Sequence, residues 1–70
     1  MDYDEPVTLL MPYEERRKLP LADAVLAAVH QVDRVKRVGA TIVRENGDRI
    51  GHAIMVAIHD RPDFPRRQQP

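Results

Sequence analysis

Two apolar, β-branched runs meet at Asn46-Gly47 and predict a β-hairpin between residues 38 and 58. Both central residues of a type I′ turn need positive φ, which Asn and Gly tolerate best. With a two-residue loop Val43 pairs with Ile50, whereas a longer loop would shift the register by one residue. We favour the two-residue loop and therefore expect two long strands.

This hairpin has apolar side chains on both faces. Successive side chains of a strand point to opposite sides, so Ile54 and Ile58 share one face and Met55 lies on the other. The first face suits a covering helix. The second should be polar if water covered it, so we predict that a second copy of the chain or another protein covers it. The predicted interface consists of Val38, Ala40, Ile42, Ala53, Met55 and Ala57, with Arg44 and Arg49 at its rim.

Residues 20–37 have the apolar spacing of one amphipathic helix. Pro20 suits the first turn, where its missing N–H needs no partner, and Gly39 provides a stop. We expect the apolar stripe of this helix to pack on the first face of the hairpin. The stripe contains Leu21, Ala24, Val25, Ala28, Val29, Val32 and Val35.

The rest of the chain predicts one short strand and two flexible ends. Residues 7–11 form an apolar run that predicts a third strand, although an arm laid across the core is an alternative. The acidic residues 1–6 and the Pro- and Arg-rich residues 60–70 are expected to be flexible or disordered, and no internal repeat is evident. The predicted fold class is α+β, with one amphipathic helix on a small antiparallel or mixed sheet in a single domain, residues 7–59. The element order is β-α-β-β, or α-β-β if the first strand is absent.

Composition narrows the possible functions of the 70 residues. The absence of cysteine excludes disulfides and thiolate zinc sites, and no apolar run reaches the roughly 18 residues that span a bilayer. The acidic N-terminus is no secretory signal, so we expect a cytoplasmic protein. Eleven basic and eleven acidic residues cancel, which argues against strong nonspecific binding to nucleic acid. A local positive excess within residues 16–44 nevertheless leaves nucleic-acid binding by Arg34, Lys36, Arg37 and Arg44 as an alternative.

The three histidines are the candidate catalytic or metal-binding residues. Strand parity places His52 and His59 on opposite faces, and His30 lies on the solvent side of the predicted helix. We therefore expect no metal site, cofactor or catalytic centre, and a His52 that is hydrogen-bonded at the edge of the core. Gly51-His52 after a helix resembles the arrangement in small toxin ribonucleases with a double-stranded-RNA-binding-type fold, which implies that His52 acts on RNA.

The leading hypothesis from the sequence is a small non-enzymatic interaction or regulatory module that acts through protein–protein contacts as a homodimer. A nucleic-acid-binding module and a histidine-dependent ribonuclease are the alternatives.

Overall fold

The computed structural model describes residues 2–65 and confirms the expected α+β class. A four-stranded antiparallel sheet packs against helices through one of its faces. The elements in chain order are β1 (Pro6–Met11), β2 (Glu14–Pro20), α1 (Leu21–Val29), α2 (Arg34–Val38), β3 (Thr41–Arg44), β4 (Arg49–Ile50) and α3 (His52–His59).

The strand order in the sheet is β2-β1-β3-β4, and each neighbouring pair is antiparallel. The third strand expected at residues 7–11 is present and lies in the centre of the sheet, between β2 and β3. Its buried side chains Val7, Leu9 and Met11 alternate with more exposed ones, as expected for a strand with one face on the core.

The edge strand β2 was not predicted, because its sequence is dominated by charged residues. Charged side chains are common on edge strands, where they discourage further strand pairing. The pairing of β1 with β2 shifts between Val7 and Leu9, and Lys18 adopts a φ of 56° beside this irregularity. A bulge therefore interrupts the strand, which weakens its period-two signal.

The predicted turn at Asn46-Gly47 is present, but the predicted register is wrong. Ile42 pairs with Ile50, which is one residue from the predicted alignment. The Arg44 N–H donates to the Asp48 carbonyl over 2.8 Å, and Gly47 has a φ of 91°. A three-residue loop with a left-handed glycine thus replaces the two-residue turn.

The predicted second strand of the hairpin is mostly helix. Only Arg49–Ile50 pairs with β3, and after Gly51 at the N-cap the chain continues as α3. Met55 and Ile58, three residues apart, are the buried residues of this helix, and α3 packs mainly against α1. A preference for strand reflects packing on a pleated surface, so the β-branched residues of this segment do not prevent a helix.

The predicted helix at residues 20–37 is two helices. The Asp33 side chain accepts hydrogen bonds from the N–H groups of Val35 (2.9 Å) and Lys36 (3.4 Å) and thereby caps a new helix. Val32 and Val35, predicted to belong to the apolar stripe, are consequently exposed. The first helix buries the predicted residues Leu21, Ala24, Val25 and Ala28, together with Ala22.

Side chains from both ends of the described chain pack together. The rings of Tyr3 and Phe64 meet edge to face with centroids 5.3 Å apart, and Phe64 is only 5% exposed. The Tyr3 hydroxyl donates a hydrogen bond to Asp63 over 2.8 Å. The folded part of the chain therefore includes Tyr3 and Phe64, which belong to the ends expected to be flexible. Residues 1 and 66–70 lie outside the described residues.

The chain folds as two ββα units, a repeat that was not evident from the sequence. β1, β2 and α1 form the first unit, β3, β4 and α3 form the second, and α2 lies between them in the chain. If residues 8–10 of β1 correspond to residues 41–43 of β3, the Leu9–Ile42 pair of the two central strands lies on a pseudo-two-fold axis. The flanking pairs are Thr8 with Val43 and Leu10 with Thr41.

The sequences of the two units also correspond. Residues 21–30 read LADAVLAAVH and residues 50–59 read IGHAIMVAIH, an offset of 50 − 21 = 29. The central strands match as TLL and TIV at an offset of 41 − 8 = 33, because the first hairpin is longer than the second. The change of offset hides the repeat from a search at fixed spacing. Identical residues occupy three aligned positions: Ala24 and Ala53, Ala28 and Ala57, and His30 and His59.

Candidate protein-binding surfaces

The helix α2 turns its apolar side chains toward solvent. Val32, which precedes it, is 92% exposed, and its own Val35 and Val38 are 65% and 58% exposed. These valines recur every three residues, so they lie near one side of the chain. Exposed apolar clusters of this kind mark interaction sites more often than isolated apolar residues do.

A shallow, open depression of about 420 Å³ lies on this side of α2. Pro12, from the turn between β1 and β2, packs so closely that a Cβ on Gly39 would lie 2.8 Å from its Cγ atom. The absence of a side chain at Gly39 therefore lets the proline ring form part of the groove. We call this feature the α2 groove; its lining residues are Pro12, Arg34, Val35, Val38 and Gly39.

Two polar side chains of α2, in contrast, contact the rest of the protein. Lys36 Nζ lies 3.4 Å from Glu14 on β2, and Arg37 donates to the backbone carbonyl of Gln31 over 3.3 Å. The hydrogen bond from Arg16, followed by that from Lys36, lowers the pKa of the Glu14 carboxyl. An ordinary surface helix points its apolar side inward, so the amphipathic orientation of α2 is reversed.

A second exposed apolar surface lies on α3. Ile54 is 55% exposed, and Ala53, Val56 and Ala57 are exposed as well, whereas Met55 on the opposite side is fully buried. We call the four exposed residues the α3 face. Its residues lie on a different helix from those that line the α2 groove, so each surface can be substituted separately.

The predicted interface does not exist as one surface. Residues 52–59 are helical, so the alternation that grouped them by strand parity does not apply. Ala40, Ile42 and Met55 belong to the core, whereas Val38, Ala53 and Ala57 are exposed on two different helices. Arg44 is partly buried, and Arg49 is exposed on β4.

The four basic residues of the nucleic-acid alternative are not equally available. Lys36 pairs with Glu14, while Arg44 pairs with Glu5 over 3.1 Å, and that contact raises the pKa of the Arg44 guanidinium. Arg37 makes its contact with a backbone carbonyl. Arg34, at the start of α2, is exposed and lines the α2 groove.

The sheet face away from the helices is a mixed surface. Thr8, Leu10 and Val43 lie there with their side chains half-buried, and the surrounding charged residues have both signs. Such a face can be solvated, because threonines and charges interrupt its apolar residues. The charged neighbours are Glu15, Arg17, Lys18, Glu45 and Arg49.

The structure brings together His30 and His59, which the sequence analysis placed on a predicted helix and a predicted strand without a contact between them. The rings of His30 and His59 meet at 5.2 Å between centroids, and Phe64 packs on His59 at 5.4 Å.

His52 begins α3, with no hydrogen-bond partner for its buried Nδ1 atom, so the expected hydrogen bond at the core edge is not formed. Gly51-His52 therefore opens a helix and does not form the hairpin on which the ribonuclease resemblance depends. Within residues 2–65, no group of three or more His, Asp or Glu side chains is arranged to hold a metal ion.

Asp63 links the two ends of the described chain through its carboxylate. Tyr3 and Arg61 both donate hydrogen bonds to it, and these bonds, the one from Tyr3 first, lower the pKa of the Asp63 carboxyl. Because the folded-state pKa is the lower one, the carboxylate stabilises the fold above the ordinary aspartate pKa of about 4. This contribution is lost as the pH falls through the folded-state value.

We expect Asp63→Asn to lower the melting temperature near neutral pH, and the difference from the unaltered chain to shrink below about pH 4. Thermal melts followed by circular dichroism across this range measure the effect. Asp4→Asn, which removes an exposed carboxylate near Tyr3 in the sequence, is the matched control and should leave the pH dependence unchanged. A constant difference for Asp63→Asn at every pH would contradict the assignment.

Comparisons with known proteins found no matching family model, no similar curated sequence and no similar solved structure. None of the helices in residues 2–65 has the length and apolar character needed to cross a membrane.

Proposed function

We propose that this chain is a small non-enzymatic protein-binding module and that the α2 groove is its binding surface. The observation that carries the proposal is the orientation of α2, with its valines in solvent and the side chains of Lys36 and Arg37 against the protein. A helix oriented in this way leaves more than half of each valine side chain exposed in the folded chain. Binding of a partner would bury these side chains.

The polar contacts of α2 explain how such a helix persists. Asp33 caps its first turn, and Lys36 and Arg37 attach it to β2 and to the preceding loop. The side chains of the valines contribute to none of these contacts. The surface is therefore formed in advance of binding, which reduces the ordering cost that a partner has to offset.

The chemistry of the groove indicates the kind of partner. Its floor is apolar, from Pro12, Val35 and Val38, and Arg34 is the charged residue that lines it. An arginine beside an apolar depression suits a carboxylate next to a bulky apolar side chain, because a guanidinium can bind a carboxylate through two hydrogen bonds. We therefore expect the partner to present an apolar residue flanked by Asp or Glu.

Selection from a random peptide library displayed on phage tests this function. We expect peptides enriched on the full chain to combine a bulky apolar residue with an acidic one. Val35→Asp should weaken their binding by about tenfold or more, and Arg34→Glu should favour peptides in which the acidic residue is replaced by Lys. Fluorescence anisotropy of the selected peptides measures these affinities.

The controls for this selection come from the same chain. Val35 is exposed, so Val35→Asp should change the free energy of unfolding by no more than about 0.5 kcal/mol, and lost binding then reflects the surface. Ile54→Asp, on the α3 face, should bind the peptides normally. If no enriched peptide depends on Val35 or Arg34, the α2 groove is not a binding surface.

A further inference from the structure

Tyr13 occupies a turn position at which the backbone favours other residue types. Pro12 and Tyr13 connect β1 to β2, and Tyr13 has a φ of 67°. A proline followed by a residue of positive φ is the pattern of a type II turn, in which glycine or asparagine is preferred at the second central position. A bulky side chain is unfavourable in the left-handed region, so tyrosine fits this position less well than asparagine.

Packing within residues 2–65 does not offset this conformational cost. Tyr13 is 99% exposed, so its ring gains no burial from the described part of the chain. Residues held in sparsely populated backbone conformations cluster at binding and catalytic sites. The stability of the fold therefore does not explain a tyrosine at this position, whereas contact with a partner would.

The residues on both sides of Tyr13 contact the helix that carries the α2 groove. Pro12 packs against Gly39 and lines the groove, and Glu14 pairs with Lys36 of α2 over 3.4 Å. These two contacts hold the backbone of Tyr13 beside the groove. The exposed ring is thus attached next to the surface whose valines are also exposed.

We infer that Tyr13 is a contact residue for the partner of the α2 groove and that its ring binds a second apolar side chain of that partner. This inference rests on the function proposed for the groove. Tyrosine and arginine are enriched among the residues that contribute most to binding. A tyrosine ring also supplies a large contact area with few rotatable bonds, so little side-chain entropy is lost on binding.

The positions of Arg34 and Tyr13 indicate the order of the contacts along the partner. Arg34 begins α2, whereas Gly39, against which Pro12 packs, follows the last residue of this helix. Five helical residues rise by about 7.5 Å, so Arg34 and Tyr13 lie toward opposite ends of the groove. We therefore expect the apolar residue that fills the groove to lie between the acidic residue and the second apolar residue in the sequence of the partner.

The peptides selected on the full chain test the inference by fluorescence anisotropy. Tyr13→Asn removes the ring and fits a positive φ, so its melting temperature should be no lower than that of the unaltered chain. Its affinity for the peptides should be lower by about tenfold. Tyr13→Phe keeps the ring and should bind within about twofold of the unaltered chain. Unchanged binding by Tyr13→Asn, a lower melting temperature for it, or an equal loss of binding in Tyr13→Phe overturns the inference.

A second measurement follows the tyrosine rings in the unaltered chain by nuclear magnetic resonance. The chain contains two tyrosines, so ¹³C labelling of tyrosine gives two sets of ring signals, which Tyr13→Phe assigns. A saturating peptide that itself contains no tyrosine should shift the Tyr13 signals. The signals of Tyr3, whose ring packs against Phe64, should stay in place as the internal control. Tyr13 signals that do not shift overturn the inference.

The same titrations separate this inference from the function proposed for the α2 groove. If Val35→Asp and Arg34→Glu change peptide binding and Tyr13→Asn does not, the function of the groove is supported and the role of Tyr13 is overturned. If no selected peptide depends on Val35 or Arg34, both are overturned.

Discussion

Replacement of Met55 by aspartate should unfold the chain. Met55 is fully buried and contributes to the packing of α3 on α1. Truncating a buried methionine to alanine already costs about 2 to 5 kcal/mol, and a carboxylate adds the cost of burying a charge without a partner. The total stability of a domain of this size is roughly 4 to 10 kcal/mol. Far-UV circular dichroism and a urea titration of the purified variant measure the loss.

Two neighbouring variants serve as controls for this result. Met55→Leu keeps the volume of the side chain and should cost less than about 1.5 kcal/mol. Ile54→Asp changes the adjacent but exposed residue and should leave the fold intact. If residues 50–58 formed the strand that the sequence pattern predicted, Ile54 would lie in the core and Met55 in the interface with a second chain, so Ile54→Asp would unfold the chain and Met55→Asp would act on the interface. A folded Met55→Asp beside an unfolded Ile54→Asp would therefore contradict the helical assignment of α3.

The sequence predicted the parts of the fold that depend on local chemistry. The turn at Asn46-Gly47, the apolar strand at residues 7–11 and the start of α1 beside Pro20 are all present. Each depends on a backbone preference or on a pattern within a few residues. The local sequence did not decide between a two-residue and a three-residue loop, because Gly47 fits a left-handed position in both loops.

The choice between strand and helix after Gly51 could not be made from the local pattern. Ile50, Ile54 and Ile58 are four residues apart, a spacing that places side chains on one face of a strand and on one side of a helix. The segment is short, and short apolar runs are ambiguous between the two structures. The contact with α1, which selects Met55 and Ile58 for burial, is tertiary and resolves the ambiguity only in the folded chain.

Both candidate surfaces lie in segments whose predicted structure was wrong. These are the single helix predicted at residues 20–37 and the strand predicted after Gly51. Val32 and Val35 continue the apolar spacing of α1, so they appeared to belong to its buried stripe until the break before α2 placed them in solvent. Asp33 was the residue in the sequence that indicated this break. An aspartate at the N-cap favours the start of a helix, whereas an aspartate within a helix is neutral or unfavourable. The helix repeat was a second signal, because the likeness of residues 50–59 to residues 21–30 would have favoured a helix over most of the segment.

Phe64→Ala should lower the free energy of unfolding by about 3 kcal/mol or more. Phe64 is 5% exposed and packs against Tyr3 and His59, so its removal leaves a cavity where the two ends of the described chain meet. If the segment from residue 60 onward were a disordered tail, the same change would have no effect on stability. Urea unfolding at neutral pH measures the difference, and Tyr13→Ala, which truncates an exposed aromatic residue, should change stability little.

The contact between Tyr3 and Phe64 can be isolated with a double-mutant cycle. Tyr3→Ala should also be destabilising, because it removes the ring contact and the hydrogen bond to Asp63. The two changes together should cost less than the sum of the single changes, since either one abolishes the same edge-to-face contact. An aromatic pair of this geometry typically contributes about 0.5 to 1.5 kcal/mol beyond its burial. Strict additivity would show that Tyr3 and Phe64 stabilise the fold independently, without a measurable contribution from their mutual contact.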